Sequence, residues 1–230
     1  MICSVHGSKE PILDLPIESS QFVVFDTELT GLNSRRDQII SIGAITVSNL
    51  TIVPYRSFYS IIKPKGEAIS QATFVHRITP ESLVDAPSLE DVLPKFVKFC
   101  GNSIIVGHQL EIDLPFLRNA CRKVIGAMVP NPFIDTIRLA QYCRTKLKNM
   151  GATKSVEEIS YNLGVLSRRL ELPLCPQHDA LGDALQTAYL LLKLISVLRI
   201  EEVSSCRELC VIGSPSWLQS CCLRWGGKNI

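Results

Sequence analysis

Three short runs of β-branched and aromatic residues, separated by brief turns, occupy the first part of the chain. They cover residues 21–25 (QFVVF), 38–47 (QIISIGAITV) and 57–62, and the first run ends at Asp26, just before a turn at residues 30–33. Runs of this composition favour buried strands. Because only short turns join them, the pattern predicts an antiparallel meander.

Further along the chain the apolar residues recur mainly at helical spacing. Two short apolar runs, at residues 103–106 and 133–134, interrupt this pattern and predict two further strands. Helices are predicted to start at residues 79–81 and to cover residues 88–100, 114–124, 136–146 and 180–200, and a capping box at residues 155–158 predicts a short helix that stops near Gly164. A meander followed by alternating helices and strands indicates an α/β fold with a mixed five-stranded sheet flanked by helices.

Composition restricts the class of protein without indicating its function. The chain has 230 residues, 46% hydrophobic and 20% charged, which suits a packed domain of residues 21–200, with an N-terminal extension (residues 1–20) and a Cys-rich appendix (residues 201–230). The net charge of +2 does not by itself indicate nucleic-acid binding, although a local basic patch can bind phosphates. The nine cysteines, with no apolar leader segment, favour a reducing, cytoplasmic location. The apolar run at residues 188–200 is short and contains Lys193, so we interpret it as a buried helix and expect no membrane partner.

Carboxylates stand at three places where apolar structure ends. Asp26 and Glu28 follow the first strand, and residues two apart in an extended segment point to the same side. Asp113 lies at a loop-to-helix junction, and Asp183 lies in a predicted helix, five residues after His178. Each has an ordinary interpretation: a turn former, a helix N-cap, a solvated helix residue and a surface or core histidine. It is their combination that indicates a functional site.

The order and context of these segments resemble the three motifs of the DEDDh (DnaQ-like) 3′-5′ exonucleases. The first motif of that family, Asp-x-Glu followed by Thr-Gly, is similar to Asp26-Thr27-Glu28 with Thr30-Gly31, although Leu29 replaces the usual Thr. The resemblance covers roughly residues 21–195 and is nearest to the epsilon proofreading subunit of bacterial DNA polymerase III. It implies a ribonuclease H-like fold.

The second and third motifs are also present. Gly107-His108-Gln109 followed by Asp113 resembles the Gly-His-Asn lead and its downstream Asp, with Gln in place of Asn. The segment HDALGDA, from His178 to Ala184, resembles the family's His-x-Ala-x-x-Asp-Ala. A further match, residues 76–79, resembles a His-Gly-Ile-Thr stretch with Arg in place of Gly.

The resemblance implies a two-metal-ion hydrolysis of phosphodiester bonds. Asp26, Glu28, Asp113 and Asp183 would hold two Mg²⁺ or Mn²⁺ ions, which suit hard oxygen ligands and can clamp an in-line displacement at phosphorus. His178 would be the general base, since histidine has an unperturbed pKa of about 6.5. The resemblance also implies that residues Glu28, Leu29, Thr30 and His76 contact the substrate.

The predicted partner is a single-stranded 3′ end, with DNA favoured, in replication proofreading or repair, and a DNA polymerase subunit is a candidate partner. One alternative is a 3′-5′ exoribonuclease of the ribonuclease T or oligoribonuclease type, because the same carboxylates serve both substrates. An alternative of another class is a catalytically silent nucleic-acid-binding module, which loss of a carboxylate would indicate; all four are present.

The cysteines of the tail have a separate alternative. Cys206, Cys210, Cys221 and Cys222 could be zinc ligands, but adjacent cysteines fit a tetrahedral site poorly and no paired CxxC spacing occurs. A packed or partner-binding appendix is therefore favoured over a zinc site.

Overall fold

A computed structural model of the chain describes residues 12–66, 78–144, 160–176 and 178–215. Five strands form one sheet in the order β3-β2-β1-β4-β5. The strands are β1 (Gln21–Leu29), β2 (Ile39–Ser48), β3 (Thr51–Ile61), β4 (Ile104–Gly107) and β5 (Phe133–Asp135). The first three pair antiparallel, whereas β4 runs parallel to β1 and β5 runs parallel to β4. The predicted mixed five-stranded sheet with its antiparallel meander is confirmed.

Seven α-helices connect and cover the strands in the described parts of the chain. They are α1 (Pro80–Val84), α2 (Leu89–Cys100), α3 (Leu110–Val124), α4 (Thr136–Tyr142), α5 (Leu163–Arg169), α6 (Ala180–Ile200) and α7 (Cys206–Gly213). Side-chain oxygens cap several of them: Thr79 accepts a hydrogen bond from the amide of Ser82, and Ser88 accepts one from that of Asp91. These caps satisfy amides that have no partner inside a helix, which is why the helices begin there.

The alternation of side chains along the strands builds a core on each face of the sheet. Phe22 and Val24 of β1 point to one face and pack with α4, α5, α6 and α7. Val23 and Phe25 point to the other face and pack with α2 and α3. The fold is therefore a sheet between two layers of helices.

Several predicted boundaries were wrong. β1 does not end at Asp26 but continues through Glu28 to Leu29, because β2 supplies a hydrogen-bonding partner opposite these residues. β3 begins at Thr51, well before residue 57, and includes Pro54, which an edge strand tolerates.

A helix was predicted to open at residues 155–158 and to stop near Gly164, but residues 160–162 are not helical. A different helix, α5, begins at Leu163, where the side chain of Asn162 accepts a hydrogen bond from the amide of Val165. The predicted capping box at residues 155–158 lies outside the described residues.

The two ends of the described chain pack against each other. The amide of Ile17 donates to the carbonyl of Ser204 (3.1 Å), and the amide of Cys206 donates to the carbonyl of Leu15 (3.2 Å). Cys206 and Cys210 of α7 are buried in the same core as the sheet, and the Cys206 thiol donates to the Ser20 hydroxyl. Two of the four tail cysteines therefore act as buried core residues, while Cys221 and Cys222 lie outside the described residues.

Helix α6 is the central helix of the fold. Among the described residues it is the one helix that is long and apolar enough to cross a membrane. Twelve of its residues, from Ala180 to Leu198, are buried in the protein. Its apolar composition is accounted for by packing on the sheet.

Candidate metal centre at the end of β1

Asp26 and Glu28 lie in the last part of β1, where the strand pairs with β2 but no longer with β4. β4 pairs with β1 only at Phe22, Val23 and Val24, so the carboxyl-terminal part of β1 extends beyond β4. On its other side β1 remains paired with β2, with Asp26 opposite Gly43. The alternation of a strand places the carboxylates of Asp26 and Glu28 on the face that α6 covers. The sheet thus holds both carboxylates rigidly next to an opening.

Helix α6 brings a third carboxylate to this point. Asp179 caps the helix by accepting a hydrogen bond from the amide of Gly182, and Asp183 follows in the first turn. One carboxylate oxygen of each of Asp26, Glu28 and Asp183 lies within 4.8 Å of the others. These three residues, called the carboxylate cluster below, come from two elements that are distant in sequence.

Gly43 permits this close approach of helix and sheet. A Cβ atom at Gly43 would lie 2.2 Å from the carbonyl carbon of Ala180 and 2.2 Å from the amide nitrogen of Leu181. No side chain fits between the strand and this backbone, so only glycine lets α6 start beside Asp26. Gly43 was not among the residues predicted from the sequence, although a glycine inside a run of β-branched residues indicates a close approach of another backbone.

Asp113 reaches the site from the opposite face of the sheet. It is buried, it lies inside α3 rather than at an N-cap, and one of its carboxylate oxygens accepts a hydrogen bond from the Thr27 hydroxyl. Asp113 is not within the 4.8 Å grouping of the carboxylate cluster. Its charge nevertheless raises the pKa of Asp26 more than the charge of any other carboxylate does, so Asp113 lies next to the cluster.

Asp135 and His108 hold α3 in place. The two Asp135 carboxylate oxygens accept hydrogen bonds from the amides of Gln109 (3.0 Å) and Leu110 (2.9 Å), and one also accepts from Ile137 (2.9 Å). The His108 ring nitrogens contact the Thr136 hydroxyl and the carbonyl of Tyr161, each at 2.8 Å. Burial lowers the pKa of His108 to about 4, so this ring is neutral. Both residues have a structural role.

The electrostatics of the site favour a bound cation. Burial raises the pKa of Asp26 well above its ordinary value, and each charged neighbour that raises it further is a carboxylate: Asp113, Asp183, Glu28 and Asp179. Burial likewise raises the pKa of Asp113 to about 7 and that of Asp183 to about 6. Crowded carboxylates repel one another, and hard divalent cations bind oxygen ligands of this kind. The donor set therefore fits Mg²⁺ or Mn²⁺.

The metal-free protein should lose stability as pH rises. The carboxyls of Asp113 and Asp183 have raised pKa values in the folded state, so the folded protein binds more protons than the unfolded chain. The free energy of unfolding should therefore fall by about 2–4 kcal/mol between about pH 5 and pH 8. Urea unfolding in a chelator tests this, and Mg²⁺ should restore the loss at the higher pH. A free energy of unfolding that does not change between these pH values would contradict the mutual repulsion of the carboxylates.

His178 lies on the segment that leads into α6. Its backbone has a positive φ of 61°, its side chain is exposed, and its amide donates a hydrogen bond to a carboxylate oxygen of Asp183 (2.9 Å). The charged imidazole would lie close enough to lower the pKa of Asp183. Gly182 lets this segment lie against the helix, because a Cβ atom there would lie 2.5 Å from the carbonyl oxygen of Pro176.

Of the other residues predicted to contact the substrate, two are buried and one lies outside the described residues. The side chain of Leu29 is buried in the core under α2 and α3. The hydroxyl of Thr30 is also buried and accepts a hydrogen bond from the amide of Gln38 (2.9 Å). His76 lies outside the described residues. The roles of all three in substrate binding remain predictions.

Tyr59 is an aromatic residue beside the site that the sequence analysis did not single out. It lies opposite Gly43 on β3, and its side chain is 48% exposed. Burial raises the pKa of its hydroxyl, as do the charges of Asp179 and Glu28. Side chains alternate between the two faces of a strand, and the pairing of Tyr59 with Gly43, which itself pairs with Asp26, directs Tyr59 to the same face as the carboxylate cluster.

Comparison with known proteins places this geometry among nucleases. A family model described as "Exonuclease" (RNase_T) matches residues 23–191. A DNA polymerase III PolC-type from Caldanaerobacter subterraneus is 34% identical over 208 residues, which are 89% of this chain but 13% of that protein. A DNA polymerase III subunit epsilon-like protein from Rhodobacter capsulatus is 31% identical over 197 residues, 84% of this chain and 26% of that protein. The chain thus spans only a small part of these relatives.

Solved structures agree with the fold. Exonuclease X in complex with 5′ overhanging duplex DNA is 27% identical, with a TM-score of 0.57 over 76% of this chain and 91% of that one. Exonuclease I of E. coli in complex with a dT13 oligonucleotide is 17% identical, with a TM-score of 0.68 over 80% of this chain and 43% of that one. The latter likeness is one of fold alone.

Proposed function

The chain belongs to the RNase T/DnaQ-like exonuclease family, and from this premise we propose that it is a metal-dependent 3′-5′ exonuclease that releases nucleoside monophosphates from the 3′ end of DNA. The observation that carries the proposal is the carboxylate cluster, in which oxygens of Asp26, Glu28 and Asp183 lie within 4.8 Å of one another. Asp113 adds a fourth negative charge beside Asp26.

The four carboxylates have distinct positions in the proposed reaction. Asp26, Glu28 and Asp183 are positioned to hold divalent cations directly, and Asp113 adds charge from α3 while Thr27 fixes its orientation. Two divalent cations held there would supply Lewis acidity and would neutralise charge that develops on the phosphate. Because β1 is paired with β2 along its whole length and α6 packs on the sheet, the carboxylates keep their relative positions without reorganisation.

His178 is the proposed general base. Its exposed side chain next to Asp183 can accept a proton from a water molecule that attacks the phosphorus, and can then release that proton to solvent. Its hydrogen bond to Asp183 comes from the backbone amide, so the imidazole is not required for that contact. This separates the chemistry of the ring from the positioning of the loop.

His178→Ala should lower kcat by about 10²–10⁴-fold at neutral pH while metal binding persists, because the variant lacks the proton acceptor but keeps the backbone contact. Raising the pH should partly restore the rate, since hydroxide becomes more abundant. His178→Asn is the matched variant, because Asn tolerates the positive φ of this position and also lacks a base. Rates of both variants within about twofold of the unaltered protein would exclude the catalytic role.

DNA is the favoured substrate because of the relatives. Those similar over most of this chain include DNA polymerase III proteins, and Exonuclease X was solved with DNA. A role in replication proofreading or repair, association with a polymerase and a cytoplasmic location are parts of the same proposal. Time courses on single-stranded DNA, a mismatched primer-template and RNA, with Mg²⁺ or Mn²⁺, test it. Faster hydrolysis of RNA would favour the exoribonuclease, and binding without hydrolysis would favour the silent module.

A further inference from the structure

A basic groove lies near the carboxyl-terminal end of β1, on the α2 and α3 face of the sheet, opposite the face that α6 covers. Its volume is about 500 Å³, and one carboxylate, Asp37, lines it together with five cationic side chains: Arg35, Arg36, Lys63, Lys65 and Lys123. The whole chain carries 24 Lys and Arg against 22 Asp and Glu, so this is a local concentration of positive charge.

The loop that carries the two arginines is held in a defined conformation. The side-chain amide of Asn119 on α3 donates to the carbonyl of Ser34 (2.9 Å). A carboxylate oxygen of Asp37 accepts from the amide of Asn33 (2.8 Å), so this carboxylate already has a partner in the loop. The loop therefore presents Arg35 and Arg36 to the groove in a defined conformation.

The cations of the groove differ in their partners. Lys63 donates to the carbonyl of Val84 (2.7 Å), and Lys65 pairs with Glu90 (2.5 Å). Within the described part of the chain, no carboxylate forms an ion pair with Arg35, Arg36 or Lys123, all of which are exposed. These three side chains can therefore bind an anion without breaking an ion pair seen in the structure.

Two residues that line the groove lie close in the fold to residues of the proposed reaction centre. Ile39, which lines it, pairs with Leu29, the neighbour of Glu28. Phe116, which also lines it, lies about one turn after Asp113 on α3. From Asp113 to Lys123 the helix rises about 15 Å, a distance that several nucleotides of an extended strand can span.

We infer that this groove binds the phosphates of the substrate strand several nucleotides away from its 3′ end. The inference rests on the proposed function, which supplies the strand and the position of its end. Phosphate contacts by Lys and Arg are independent of sequence and position the strand rather than read its bases. The groove would thus favour long strands over short ones without discriminating between sequences.

The test is a triple variant, Arg35→Ala with Arg36→Ala and Lys123→Ala. Binding is measured by fluorescence anisotropy with a labelled strand of about 20 nucleotides, between about 50 and 200 mM salt. Each lost phosphate contact should reduce the slope of log affinity against log salt by about 0.7, so the unaltered protein should lose about 20-fold more affinity than the triple variant over this range. Arg122→Ala is the matched control, because it is exposed on α3 beside Lys123 but does not line the groove.

Hydrolysis distinguishes this inference from the proposed function. The p-nitrophenyl ester of thymidine 5′-monophosphate probes the carboxylate cluster without a strand. The ratio of kcat/KM for the long strand to that for the ester should fall about tenfold or more in the triple variant and stay constant in Arg122→Ala.

An unchanged ratio and salt slope, or an equal fall in the control, would overturn the inference. If the triple variant kept its affinity for the strand but lost the binding of a polyglutamate peptide that the unaltered protein shows, the inference would be wrong and the groove would be assigned to an acidic protein segment. Failure of the unaltered protein to hydrolyse either substrate would refute the proposed function, while the anisotropy measurement would still decide on the groove.

Discussion

Asp183→Asn is expected to reduce metal-dependent hydrolysis of a DNA strand by about 10³-fold or more while the protein stays folded. The substitution removes one of the three charges of the carboxylate cluster, and with it one of the proposed cation ligands. The side-chain oxygen of Asn can still accept the hydrogen bond that the His178 amide donates, so the start of α6 is retained. Purified variant and unaltered protein should be compared at saturating Mg²⁺.

The stability of this variant separates loss of chemistry from loss of fold. Because crowded carboxylates destabilise the metal-free protein, its Tm in a chelator should be equal to or above that of the unaltered protein. Glu111→Gln is the matched control, since it removes an exposed carboxylate from the first turn of α3 and should leave the rate unchanged. An unchanged rate in Asp183→Asn would refute the site assignment.

Gly43→Ala should lower kcat/KM by about 10²-fold or more through geometry alone, because a displacement of about 1 Å at a reaction centre has an effect of this size. The added methyl group would lie 2.2 Å from backbone atoms of Ala180 and Leu181, so α6 must move away from β2. Asp183 moves with the helix and separates from Asp26 and Glu28. We expect the affinity for Mn²⁺, measured by calorimetry, to fall as well.

A second glycine provides the control for Gly43→Ala. A Cβ atom at Gly126 would have nothing within 4 Å, and the positive φ of this residue should cost Gly126→Ala about 1–2 kcal/mol of stability without loss of activity. Besides its loss of activity, Gly43→Ala should lose about 1–3 kcal/mol of stability through overpacking. If Gly43→Ala retained full activity and metal affinity, the close approach of α6 to the sheet would not be what positions Asp183.

The strand and the helix that bear the carboxylates could be predicted from the sequence, whereas the way in which they pack together could not. Alternation placed Asp26 and Glu28 on one side of a strand, and helical periodicity placed Asp183 on a helix whose bounds are those observed. The end of β1 was wrong because the hydrogen-bonding partner that prolongs it, β2, is set by pairing across the sheet. Local pattern contains no information on that pairing.

Features that depend on packing between distant segments were missed for the same reason. Gly43 was visible as a glycine in a strand, but which backbone approaches it follows only from the position of α6. The basic groove collects cations from three separate segments, so a net charge of +2 did not indicate it. The contact between Thr27 and Asp113 likewise joins a residue of the sheet to a residue of the helix layer that packs on it.

Metal-dependent 3′-5′ exonuclease activity is tested most directly by a time course of hydrolysis of a 5′-labelled single-stranded DNA with Mg²⁺, beside the same strand blocked at its 3′ end and a circular strand. We expect products that shorten from the 3′ end one nucleotide at a time, strong slowing by the 3′ block, no cutting of the circle, and no reaction in a chelator. Rapid cutting of the circular strand, or hydrolysis that persists without a divalent metal, would contradict it.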